Sequence, residues 1–389
     1  MITDQDVIEL LSALVAIPSV NPAFRQVGDP AEWFGEAAVG HEVTRQLEAM
    51  GLKPEQDEVL PGRANVIATL KGTAGDGRRL VFECHMDTVQ VTGMSIEPFT
   101  PVVRDGRLYG RGSVDDKACI AMMLLAMREL AKDPPAVDVE FVAAVDEEFQ
   151  FKGVLHHLAR KDGLVGGVAG EPTSLQVVTA CKGCVRWTIE VRGKAAHTSQ
   201  PQEGIDAIAI ATDLLAHLRL TIDPELRVRS HPLVDAPSLI CTMIEGGQGP
   251  NTVPARCVMT FDRRTLPGET GEDAWREIDA AVRAFAEKLP EGAAITMHPP
   301  FIDSVSMDVP PSAAITEAAR AACRKHGLSD EIVGVPYGSD ATKLTAVGVP
   351  TIIFGPGSID QAHTADEFVP VAEVTTAAKV LVDLARSFA

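Results

Sequence analysis

The chain is 389 residues long, 46% of them hydrophobic, and carries a formal net charge of −19. That length exceeds what one hydrophobic core usually supports, so more than one compact domain is expected. The acidic balance excludes a nucleic-acid partner, which demands clustered Lys and Arg, and no apolar run approaches the ~20 residues that span a bilayer.

The first twenty residues, MITDQDVIELLSALVAIPSV, carry acids where a secretory leader carries positive charge. Val7, Ile8, Leu10, Leu11, Leu14 and Val15 recur at helical spacing instead and predict an amphipathic helix from Asp4 to Ala16. A second helix is expected over 35–50, stopped by Gly51. Strand-like runs ANVIATL and RRLVFEC follow, then a helix KACIAMMLLAMRELAK, a strand VDVEFVAAV and a helix from about 152. The same alternation returns from about 296, with helices near 311–326 and 371–388 and a buried strand PTIIFGP. Such alternation predicts an α/β domain with helices on both faces of a mixed sheet.

Between these halves the texture changes. VVTACKGCVRWTIEVRG reads as one long strand, GIDAIAIATDLLAHLRL as a helix, SLICTMIEG and ARCVMTFDRR as strands, and 271–289 as a second helix. That pattern predicts a small α+β sandwich, 181–295, inserted into a larger domain made of 1–180 and 296–389. The seven cysteines are odd in number and scattered, and the lone CKGC has no second pair. They read as reduced core or strand residues, which points to a reducing, cytoplasmic compartment.

Three apolar runs break abruptly into polar residues, as strand ends do where α/β proteins place their sites. LVFECHMDTV delivers His85 and Asp87 two residues apart, on one face of an extended chain. VEFVAAVDEEF delivers Asp146, Glu147 and Glu148, and GGVAGEPTS delivers Glu171. Between the first two, YGRGSVDDKA places Asp115 and Asp116 in a glycine-rich turn, and the late loop GPGSIDQAHTADEF adds His363. Each alone reads as a solvated acidic loop. Together they make an anionic nest that calls for a cation. Two imidazoles with several carboxylates suit zinc, with cobalt or manganese as alternatives. A water held between two ions on a shared carboxylate becomes hydroxide near neutral pH, and a free Glu can take its proton. Alternation points Glu147 and Glu148 apart, so one can bind metal while the other serves as base.

Other chemistries lack their signatures. There is no GxxxxGK[ST] phosphate loop, no GxSxG elbow, no HExxH and no GxGxxG after a strand, which argues against a dinucleotide-binding oxidoreductase. A non-catalytic binding protein on the same framework is the rival from another class, and it is expected to have lost the base or a ligand.

HMDTV, GRGSVDDK, DEE, GEPT, GKAAHTS and GPGSIDQAHTADE, in this order, resemble successive motifs of the dinuclear zinc amidohydrolases and peptidases. That family includes acetylornithine deacetylase, succinyl-diaminopimelate desuccinylase, aminoacylase and glutamate carboxypeptidase. The resemblance covers essentially the whole chain. It implies two Zn²⁺ per chain, one held by His85, Asp115 and Glu171 and the other by Asp115, Glu148 and His363. It further implies a cis peptide after the bridging Asp115, Glu147 as general base and Asp87 as the acid that orients His85.

In the inserted domain the resemblance makes His197 the group that stabilises the tetrahedral oxyanion, usually from the other subunit of a homodimer. GPNTVPARCVMTFDRRTLPGE resembles the stretch that binds the substrate carboxylate and implicates Asn251 and Arg264, with Arg263 on the opposite strand face as structural. In VPYGSDATKL, Ser339 or Asp340 would help read the substrate. The activity implied is metal-dependent hydrolysis of an N-acyl amino acid, with N-acetyl-L-ornithine-type deacetylation the best match of the two loops GPGSIDQAHTADEF and DRRTLPGE. Desuccinylase, carboxypeptidase and dipeptidase activities share the same catalytic residues.

Overall fold

Apolar residues fill four short strands, Arg79–His85, Asp138–Ala144, Leu164–Ala169 and Thr351–Ile353, and nearly every position in them is buried. Strands buried on both faces are what a parallel sheet between two helix layers requires. A computed structural model describes residues 2–388 and divides them into two units. The first comprises the chain up to Thr179, Val309–Val333 and the residues from Ser339 on; the second comprises Ala180–Asp308 and Gly334–Gly338.

In the first unit the strand order is Glu55–Leu60, Arg63–Leu70, Asp138–Ala144, Arg79–His85, Leu164–Ala169, Thr351–Ile353, Val177–Cys181. The outer pairings are antiparallel and the four central strands are mutually parallel, so the sheet is mixed. Parallel strands end at one edge. The register makes those ends level: His85 lies opposite Ala144, while Glu83 and Ile353 both lie opposite Ala169. The polar segments that follow therefore emerge together.

The helix Lys117–Leu130 is buried almost all round, as its continuous apolar sequence dictates. Asp4–Val15 and Val371–Ser387 pack against it. Asp4–Val15 begins with a capping box in which Thr3 and Asp6 satisfy each other's backbone N–H, a device typically worth ~1 kcal/mol.

The second unit holds an antiparallel sheet ordered Ser238–Gly246, Arg256–Thr265, Gly183–Arg192, Ala294–Met297, with Ile302–Ser304 also paired to Gly183–Arg192. Val185, Trp187, Ile189, Val191, Met259 and Phe261 form one face and pack on the helices Ala207–Arg227 and Gly271–Ala286. Strand alternation sends Cys184, Arg186, Thr188, Asp262 and Arg264 to the opposite face.

Two expectations need correction. The run 177–193 is not one strand: Val177–Cys181 belongs to the large sheet and Gly183–Arg192 to the small one, with the break at Lys182. Gly183 permits the crossing, since a Cβ there would stand 2.3 Å from Thr265 Oγ1 and 2.6 Å from the Ser304 carbonyl. The second unit also runs past 295 to Asp308, because Ile302–Ser304 still pairs with Gly183–Arg192. Among the described residues no helix is long and apolar enough to cross a membrane. Among the described residues no disulfide joins any of the cysteines.

Candidate metal centre

Asp87, two residues beyond the strand end at His85, is wholly buried and organises the site's first side. Its Oδ1 accepts the Glu147 N–H at 3.1 Å, and its Oδ2 accepts the Glu148 N–H at 3.1 Å and Asn21 Nδ2 at 2.7 Å. One carboxylate thus ties the loop after Arg79–His85 to the loop after Asp138–Ala144. The ring of His85 is held less by that carboxylate, 3.5 Å from Nδ1, than by the Asp87 carbonyl oxygen at 2.9 Å. With Nδ1 donating to that carbonyl, the lone pair of Nε2 is free to ligate.

His85 Nε2 lies 3.0 Å from Asp115 Oδ1, and His363 Nε2 lies 3.2 Å from both Asp115 Oδ2 and Glu148 Oε1. His85, Asp115 and Glu171 each bring one ligand atom within 4.8 Å of the other two; so do Asp115, Glu148 and His363. Asp115 is common to both sets. Glu147 is in neither, although it adjoins Glu148 and is itself buried. The Asp115–Asp116 peptide is cis, and Asp116 turns away to accept the His85 N–H at 3.1 Å.

The last loop reaches this edge because Gly355 has no side chain: a Cβ there would stand 2.4 Å from the Glu171 carbonyl and 2.7 Å from Cys119 Sγ. A residue without an expected role, Glu367, then fixes the Asp115 turn. Its carboxylate accepts the N–H groups of Gly112, Val114 and Asp115 at 3.0, 2.9 and 3.2 Å and pairs with Arg111 at 2.6 Å. Glu367 lies inside the HTADEF stretch, whose histidine draws attention from its acids. Asn21, the other unanticipated partner, has only the turn-like VNP to announce it.

The electrostatics follow from crowding. Burial and then Asp115 push Glu148 up to about 7, despite the His363 hydrogen bond. Burial, reinforced by neighbouring carboxylates, drives Glu147 and Glu171 well above the usual range. Hydrogen bonds to Asp115 and Glu148 raise His363 to about 10. Burial opposes ionisation of Asp115, yet its two imidazoles hold it below the ordinary carboxylate range. Two imidazoles and three carboxylates converging this way fit hard or borderline divalent cations with nitrogen and oxygen ligands.

Ser339 and Asp340 are buried in the first unit rather than open to solvent. Ser339 Oγ accepts the Ala341 N–H, and burial, then the Glu83 carboxyl, push Asp340 well above its ordinary range. The remaining expected residues lie in the second unit. His197 is exposed, with Nδ1 2.8 Å from Ser199 Oγ. Its loop is bridged to that of Asn251 through Thr198 N–H to the Asn251 carbonyl at 3.1 Å and Val253 N–H to the Ala196 carbonyl at 2.8 Å. Arg264 is half-buried and donates Nε to Asp262 Oδ1 at 2.9 Å, whereas Arg263 is wholly buried and paired with Glu269.

The chain is similar in fold to the aminopeptidase PepT of Bacillus cereus, at 24% identity and a TM-score of 0.81, covering 100% of this chain and 99% of that one. A tripeptidase of Staphylococcus aureus matches at 22% identity and a TM-score of 0.79, over 99% and 98% of the two chains. A dinuclear metal-binding M20 peptidase of Bacillus subtilis matches at 17% identity and a TM-score of 0.74, over 98% and 97%. Residues 81–387, which contain every member of both ligand sets, match peptidase family M20/M25/M40, and the chain belongs to that family.

Proposed function

We propose that the protein hydrolyses the amide bond of a small N-acyl amino acid or peptide bearing a free carboxylate. Two divalent cations would be held by His85, Asp115 and Glu171 and by Asp115, Glu148 and His363. The observation that carries this reading is the sharing of Asp115, whose two oxygens face two different imidazoles. Zinc suits the donor set, with cobalt or manganese as alternatives. When bound, such cations would lower the pKa of a water and polarise the scissile carbonyl.

The chain's own groups supply the rest. Glu147, beside a ligand but outside both sets, accepts the water's proton and returns it to the leaving amine. Asp87 holds the backbone of Glu147 and Glu148 and, through its carbonyl, the tautomer of His85. His197 steadies the oxyanion. Asn251 and Arg264 grip the substrate carboxylate, for which a guanidinium offers two parallel hydrogen bonds.

Within this class the two loop motifs favour N-acetyl-L-ornithine-type deacetylation, and the aminopeptidase and tripeptidase among the fold relatives favour a short peptide. We also assign a homodimer. Ser238–Gly246 lies at the edge of the small sheet with Ile240, Met243 and Ile244 exposed, and such an edge invites pairing with a second copy. The test is metal analysis of the isolated protein, followed by N-acetyl, N-succinyl and dipeptide substrates after chelation and refilling with zinc or cobalt. About two ions per chain and chelator-sensitive release of amine support the reading. Turnover that survives metal removal rejects it.

A further inference from the structure

The strand Arg63–Leu70 pairs with Asp138–Ala144, and two of its polar side chains reach the loop that carries Glu147 and Glu148. Arg63 and Asn65 stand two residues apart on that strand and share a face. Asn65 accepts the Val145 N–H through Oδ1 at 3.1 Å and donates Nδ2 to the Gly153 carbonyl at 2.8 Å, so one amide closes both ends of the loop. Arg63 acts on its first bend. Asp146 has a φ of 68°, in the left-handed region that side chains other than glycine seldom adopt. Arg63 Nη2 donates to Asp146 Oδ1 at 3.2 Å, and Asn21 Nδ2 donates to the same oxygen at 3.0 Å. The Asp146 N–H donates to Glu36 Oε1 at 3.2 Å. Glu36, just before the helix Ala37–Ala49, accepts Arg63 Nε at 2.6 Å and Nη2 at 2.5 Å.

Stability alone does not call for this arrangement. Desolvating two charges offsets most of what a buried ion pair gains, and Glu36 is wholly buried. The Glu36–Arg63 pair is complete in itself, yet both members also hold Asp146, one at its N–H and the other at its carboxylate. Immediately after Asp146 come the two working acids. Glu148 is held from two sides, by Asp87 at its N–H and by His363 at its carboxylate. Glu147 is held at its N–H, by Asp87. The direction of the Glu147 carboxylate therefore depends on the backbone that leads into it, and that backbone is the bend at Asp146.

We propose that Arg63, working with Glu36 and Asn21, is a positioning residue for the general base. It locks the left-handed bend at Asp146 and so sets the direction in which Glu147 leaves the loop. The inference rests on the hydrolase reading above and goes beyond it. The base is aimed by groups from a strand and a helix start that carry no member of either ligand set.

The experiment uses Asp146→Ala, Asp146→Asn and Arg63→Lys, because an uncharged residue at 63 would strand the buried Glu36. Asp146→Ala removes the anchor and leaves the Glu36–Arg63 pair intact. Asp146→Asn keeps the acceptor oxygen on a residue that tolerates the left-handed bend. Arg63→Lys keeps a charge beside Glu36 but loses the fork that spans both carboxylates. The substrate is whichever of N-acetyl-L-ornithine, N-succinyl-L-leucine and L-leucyl-glycine the zinc-loaded wild type cleaves fastest. Asp146→Ala and Arg63→Lys are expected to lose about 10–100-fold in kcat, with KM and metal content nearly unchanged, as a small displacement of a reacting group predicts. Asp146→Asn recovers most of the loss. In a Glu147→Gln background the same changes cost little more, because they act through Glu147. Hydrogen exchange of the metal-free protein gives a readout without turnover: residues 145–152 exchange faster in Asp146→Ala and Arg63→Lys than in wild type. Wild-type kcat in both variants, an undiminished further loss in the Glu147→Gln background, or metal lost in step with kcat overturns the proposal. Each would leave the network as a structural tie in a working hydrolase. Metal-loaded wild type that cleaves none of the three substrates overturns the hydrolase reading, and this assignment with it.

Discussion

Asp115 and Glu367 stand 252 residues apart in the chain, yet the Asp115 N–H donates to Glu367 Oε1 at 3.2 Å. The same buried carboxylate holds Val114, Gly112 and Arg111. The turn that presents Asp115 is therefore fixed by the very segment that presents His363, four residues upstream of Glu367. Two carriers of the ligand sets are set in register by one side chain that is in neither.

Glu367→Ala should cost ~3–5 kcal/mol of stability, because it strands the buried Arg111 and three backbone donors. It should also loosen metal retention through the freed turn. Glu367→Gln keeps an acceptor and should fall between the two. Urea unfolding and metal content after desalting provide the readouts. Wild-type values for Glu367→Ala in both would remove the positioning role.

Glu147→Gln should reduce turnover by at least ~10²–10⁴-fold while leaving the metal content nearly intact. Glu147 contributes no atom to either ligand set, so loss of a proton acceptor and loss of metal separate cleanly. Metal analysis of the same preparation used for kinetics decides between them. A variant that loses both ions would make Glu147 a ligand, and one that turns over normally would strip it of the base role.

Arg264→Lys should weaken substrate binding and leave the metals in place, since lysine cannot reproduce a bidentate grip and loses the Nε contact to Asp262. A substrate whose α-carboxylate is capped as an amide supplies the control. Wild type should strongly disfavour the capped form, and Arg264→Lys should narrow that preference. Equal hydrolysis of capped and free forms by wild type would show that Arg264 serves something else.

Much of this was legible in the sequence for a physical reason. Apolar runs buried on both faces must end in polar residues at the sheet's edge, so LVFEC breaking at His85 and FVAAV breaking at Asp146 announce a site, and parallel pairing brings the breaks level. The strand Glu55–Leu60 is not legible, because EQDEVL lies at the exposed edge and carries no alternation. Nor is the break at Lys182, since both flanking strands are apolar and only the exchange of sheet partners separates them. Asn21 and Glu367 act through hydrogen bonds to groups 66 and more than 250 residues away, which no local pattern displays.

The last prediction concerns assembly. The protein should be a homodimer in which the edge strand Ser238–Gly246 is covered by its copy, and His197 should serve the partner's metal centre. The edge offers unpaired backbone groups and the exposed apolar side chains Ile240, Met243 and Ile244, which a second copy would bury together. His197 is exposed and held by Ser199 and the Asn251 loop. Mixing inactive Glu147→Ala with inactive His197→Ala subunits tests both claims at once. A mixed dimer would regain one working site, built from the intact metal centre of one chain and the intact histidine of the other. At full exchange of equal amounts, half the dimers are mixed and each has one good site of two, so about a quarter of wild-type activity should return. Light scattering or subunit-exchange fluorescence must show that mixing occurred. If exchange is complete and activity stays absent, His197 acts on its own chain or not at all. A chain that remains monomeric at working concentration, while fully active, would remove the dimer from the mechanism.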